Sequence, residues 1–169
     1  MTRLFSPLLL LALLPACTLA EGEVTAPAGE ALAVLSARSP SVAPSYAWSY
    51  DVTLAASAVT ARYCHGYETE GPACGTASEP LGPEAGAALE ARIAAFAADL
   101  TAAPIAESLD PPIGGGATAA VLYPGSSALT VPGYPADTAR AEAILAGLEA
   151  LIPAGLVEAA AAAGEAPAE

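Results

Sequence analysis

The clearest pattern in the chain begins at Tyr46. Tyr46, Trp48, Tyr50, Val52 and Leu54 alternate with Ala47, Ser49, Asp51 and Thr53. A period of two, with aromatic and β-branched residues on one side, predicts a strand with one covered face. A second strand is expected over about 58–66, with Val59, Ala61 and Tyr63 on one face and Thr60, Arg62 and Cys64 on the other. The two should pair as an antiparallel hairpin, although the connector Ala55-Ala56-Ser57 carries no tight-turn chemistry. Residues 67–82 show no sustained period and read as an irregular loop. Pro83 and Glu84 then open a helix, because proline is tolerated at the first helical position and an acid suits the first turn. Leu89, Ile93, Phe96 and Leu100 form its apolar face, and Pro104 marks its end.

Asp110-Pro111-Pro112-Ile113-Gly114-Gly115-Gly116 can be neither helix nor interior strand. Strands follow at about 117–123 and 128–131, joined by the turn signal Pro124-Gly125-Ser126-Ser127. Asp137 suits the N-cap of a last helix whose face is Ala141, Ile144, Leu145, Leu148, Leu151 and Ile152, and Pro153 stops it. The order ββα then ββα predicts an α+β domain over 46–152: a four-stranded, mainly antiparallel sheet with two helices on one face. Two separate subdomains would each bury too little to stand alone. Residues 153–169 read as an alanine-rich tail. This element order over 46–152 loosely resembles small bacterial protease-inhibitor domains of the emfourin type, which would imply a secreted inhibitor.

The apolar run Leu4 to Leu14, preceded by Arg3, has the form of a secretory signal. As helix it would span only about half of a ~30 Å hydrocarbon core, too little for a transmembrane anchor. Leu14-Pro15-Ala16-Cys17 resembles the lipobox of bacterial lipoproteins, with Pro15 where that pattern prefers a small or aliphatic residue. The resemblance implies that residues 1–16 are removed and that Cys17 becomes the lipidated N-terminus of an exported envelope protein. Thr18 in place of an aspartate points to the outer membrane. Cleavage after Ala20, giving a soluble secreted or periplasmic protein, is the alternative. Residues 17–45, rich in Ala, Glu, Pro and Ser, read as a flexible linker, with a short helix conceivable over Glu30 to Arg38.

Composition narrows the chemistry. Lysine is absent from the 169 residues, which excludes a Schiff base, a phosphate-loop lysine and a Ser–Lys dyad. Five arginines stand against eighteen carboxylates, for a net charge of −13. Neither nucleic acid nor anionic headgroups are suited to such a chain, since both require clustered basic residues. Roughly a quarter of the chain is alanine, so its 54% hydrophobic content buries less area than the figure suggests. With Cys17 used or removed, Cys64 and Cys74 remain as a pair, and in an exported protein they should form a disulfide.

Candidate catalytic chemistry is sparse. His65 is the sole histidine and has neither a nucleophile motif nor a recognisable acid beside it. A small hydrolase using His65 is therefore the weaker alternative. His65 with Glu68 and Glu70 fits no zinc spacing, and no calcium-loop motif occurs, so no metal or cofactor is expected. The triple glycine precedes a strand rather than a helix, the wrong order for a phosphate turn. The expectation is a non-enzymatic binding lipoprotein with membrane contact through its lipid and a protein partner of unknown identity. The expected binding surface combines the disulfide-pinned loop (Tyr63, Tyr67, Glu68) with the adjacent loop around Pro111 to Gly116, since disulfide-closed loops lose little entropy on docking.

Overall fold

The computed structural model describes residues 31–67 and 69–165. Its elements are β1 (Ala31–Arg38), β2 (Trp48–Ala55), β3 (Ala58–His65), β4 (Cys74–Pro80), α1 (Pro83–Ala102), β5 (Ala117–Leu122), β6 (Leu129–Val131), α2 (Thr138–Glu149) and α3 (Leu156–Ala163). The strands form one sheet in the order β4-β3-β2-β1-β5-β6, and every neighbouring pair is antiparallel. The α+β class and the antiparallel sheet are as expected. Among the described residues the strand count is six rather than four, and three α-helices are present rather than two. The order ββββαββαα thus adds two strands and a helix to the order on which the emfourin resemblance rests.

The largest correction is β1. Ala31–Arg38 lies in the stretch expected to be linker, with helix as its only local option, yet it is an interior strand paired on both sides. Ala33, Leu35 and Ala37 point to the core, while Val34, Ser36 and Arg38 point away. Alanine carries little strand preference of its own, so only the two ladders explain the conformation. The expected 67–82 loop is corrected too, because β4 occupies Cys74–Pro80 and pairs residue by residue with β3. In the expected tail, α3 packs Leu156 and Ala160 into the common core.

Alternation divides the sheet into a covered and an open face. Leu35, Val52, Leu54, Val59, Ala61, Ala120, Leu122 and Val131 meet Leu89, Ile93 and Leu100 of α1, Ile144 and Leu148 of α2, and the α3 residues in one apolar cluster. Among the described residues no polar or charged side chain is buried. Gly75 of β4 lies directly under α3, where a Cβ would collide with the backbone carbonyl of Ala160. Glycine is needed there for the helix to come that close. On the opposite face Ser36, Asp51, Arg62 and Thr76 form one cross-strand row, and Val34, Thr53, Thr60 and Ser78 the next. No described helix contributes a buried residue to this open face.

The helix N-termini follow the sequence, whereas α2 ends at Glu149, short of the expected Leu151, Ile152 and Pro153 stop. Pro83 stands in the first turn of α1 with Glu84 beside it, and Asp137 caps α2 by accepting from the Arg140 backbone N–H at 3.1 Å. The Arg140 guanidinium also bridges Asp99 at 2.9 Å, tying the end of α1 to the start of α2. Among the described residues no helix is long and apolar enough to cross a membrane. The expected signal segment, Cys17 and the first part of the expected linker lie outside the described residues, as does Glu68.

Candidate functional site

The segment between α1 and β5 leaves the domain as a loop held at both feet. Ile105 is buried and anchors its start. Ala106 accepts from the Ala136 N–H at 2.9 Å, Glu107 bridges Pro135, and the Ser108 N–H donates to the Tyr134 carbonyl at 2.7 Å. On the far side the Tyr134 hydroxyl donates to the Gly115 carbonyl at 2.9 Å, and the Ser41 N–H donates to the Gly114 carbonyl at 2.9 Å. Tyr134 therefore clasps Ser108 with its backbone and Gly115 with its side chain. Pro111 and Pro112 restrict the span between, Ser108 Oγ accepts from the Asp110 N–H at 3.3 Å, and Gly114 turns the chain at φ 75°. Leu109 and Ile113, on either side of the prolines, are fully exposed at 103% and 104%.

Beside this loop lies a cavity of about 440 Å³ at the end of the sheet. Gly114, Gly115 and Tyr134 line it together with Tyr67, Thr69 and the Arg38 to Ser41 segment. Tyr67, one of the residues of the expected binding surface, lines this cavity together with Gly114 and Gly115 of the 111–116 loop. The Tyr67 hydroxyl donates to the Val42 carbonyl, and Arg62 Nη2 donates to the Thr69 carbonyl. Cys64 and Cys74 face each other across β3 and β4 and are joined by a disulfide.

Tyr63 is elsewhere. It points to the helical face, where its ring stacks on Trp48 with centroids 6.3 Å apart, and Trp48 stacks on Tyr50 at 5.7 Å. Burial raises the phenol pKa of both Tyr50 and Tyr63, and for Tyr50 the nearby Glu149 carboxylate adds to the rise. His65 closes the cluster edge-on to Tyr63 at 5.0 Å. Its Nε2–H donates to the Ala161 carbonyl at 3.0 Å, so the imidazole ties α3 to β3. Among the described residues no group of three or more histidine, cysteine or carboxylate side chains is placed to hold a metal.

Leu109 and Tyr134 are not expected site residues, and Ile113 lies within the expected 111–116 loop without being singled out. Large aliphatic residues within a Pro/Gly-rich stretch of no period were the available signal, since such a stretch cannot bury both. Tyr134 gave none, because its role depends on a contact across nineteen positions. Comparison of the chain with family models, curated proteins and solved structures finds no significant match.

Proposed function

We propose that the protein is a non-enzymatic binding module, held at the bacterial cell envelope by a lipidated Cys17, that docks on a protein partner through the 108–115 loop. One observation carries the reading. Two fully exposed aliphatic side chains stand on a loop whose feet are both clasped by Tyr134. Exposed apolar groups on a restrained loop lose little conformational entropy on docking, and burying each contributes about 1.5–3 kcal/mol. The net charge of −13 and Asp110 at the tip favour a partner with an apolar pocket and a basic rim. Protease inhibition is the second reading, favoured by the same restrained, displayed loop.

The test is affinity capture from detergent-solubilised envelope with wild type, Leu109→Ser/Ile113→Ser and Tyr67→Ala, followed by titration of the captured protein. The double loop variant should weaken the complex by about 100-fold, the equivalent of nearly 3 kcal/mol. A partner bound equally by all three forms rules out this surface. Inhibition of a protease panel that vanishes in the double variant selects the inhibitor reading. Palmitate incorporation that disappears in Cys17→Ala tests the anchor, and a mature N-terminus at Glu21 refutes it.

A further inference from the structure

A second cleft lies on the open face of the sheet, apart from the loop tip. It holds about 300 Å³ and exists because β5 offers only Ala117 and Ala119 there, with Gly133 beyond them. Arg38 of β1, Asp51 of β2 and Glu107 at the foot of the loop bring charge to it. Arg38 pairs in register with Ser49, which places Asp51 two residues along the neighbouring strand. Such a diagonal puts the Cα atoms about 7–8 Å apart. Among the described residues the one ion pair is that of Arg140 with Asp99. Arg38 thus lines the cleft with no direct ion pair to either carboxylate, and Arg62, opposite Asp51 on β3, donates instead to the Thr69 carbonyl. Asp51 accepts from Ser36 Oγ at 2.6 Å through Oδ1, which leaves its second oxygen available.

A simple anion would meet Asp51 and Glu107, and a simple cation would meet Arg38. Only a molecule carrying both signs a few ångströms apart is served by all three. We infer that this cleft binds a small zwitterion, a free amino acid or dipeptide, with its carboxylate on Arg38 and its ammonium on Asp51 or Glu107. Guanidinium and carboxylate meet as a two-pronged, charge-assisted pair. The small residues Ala117, Ala119 and Gly133 leave room for a compact body, and the Tyr134 ring borders it. This site is independent of the partner that the loop would engage.

The probe is L-alanyl-L-alanine, titrated into the isotope-labelled protein and followed by amide shifts. Saturable shifts are expected at 117–119 and 133. Arg38→Gln, an exposed position, should weaken binding by at least about tenfold, as should acetylating the probe's amine or amidating its carboxylate. Leu109→Ser/Ile113→Ser should leave this binding unchanged, so its failure and the failure of the loop reading are distinguishable. Absence of saturable shifts at these positions overturns the proposal, and so does binding that is indifferent to Arg38→Gln or to blocking either terminus.

Discussion

Tyr50 and Tyr63 face each other across β2 and β3 on the covered side of the sheet, and Trp48 lies parallel to both rings. Burial disfavours the phenolate, and for Tyr50 the Glu149 carboxylate disfavours it further. The folded-state pKa therefore lies above the unfolded one. The folded state holds the phenol protons more tightly, so this contribution to stability is complete below the ordinary phenol value of 10.0 and fades as pH rises through the raised one. The expected outcome is a urea midpoint that falls as pH climbs above about 10, with a shallower fall in Tyr50→Phe. Glu149→Gln should bring the Tyr50 titration closer to the ordinary value. Identical alkaline profiles for wild type and Tyr50→Phe would refute the assignment.

At the scale of elements, β4 depends most on a single covalent link. It is an edge strand with β3 on one side only, and its sequence Gly75-Thr76-Ala77-Ser78-Glu79 has little apolar content to hold it. The Cys64–Cys74 disulfide pins its first residue, and α3 rests on Gly75. Closing a ring of about ten residues is worth about 2.5 kcal/mol by chain entropy. Replacing both cysteines by serine should lower the melting temperature by about 10 °C. Amide exchange should accelerate first in β4, while α1 and β2 keep their protection. An unchanged melting temperature would show that α3 alone holds the edge. Cysteine parity made the disulfide legible in the sequence, but the strand it secures was not, because a short polar run beside glycine resembles a loop.

The whole molecule is organised around β1, the element least visible in the sequence. The aromatic alternation from Tyr46 to Leu54 announces β2, although Tyr46 itself stands exposed in a 3-10 turn before the strand; apolar spacing, Pro83 and Asp137 announce α1 and α2. The Ala31–Arg38 run is instead apolar at every position up to Leu35 and alternates with polar residues only over Leu35–Arg38, too short a stretch to mark a strand beside so much alanine. Its conformation comes from β2 and β5, which it joins. The candidate site shows the same division: the 110–116 segment was recognisable as loop from its Pro and Gly content, whereas its clasp by Tyr134 is a tertiary contact. A chain starting at residue 46, the boundary that periodicity suggests, would lose Ala33, Leu35 and Ala37 from the core. It would also part β2–β4 from β5–β6, leaving both facing edges without ladder partners. That loss exceeds the stability of about 5–15 kcal/mol typical of a domain. Residues 46–165 should accordingly show no cooperative thermal transition and no near-ultraviolet signal from Trp48, whereas 29–165 shows both. Adding a peptide spanning 29–40 to the shorter chain should restore the transition, because the groove between β2 and β5 selects an antiparallel partner on each side. Cooperative unfolding of 46–165 alone would mean that the two halves of the sheet can close on each other and that β1 is dispensable.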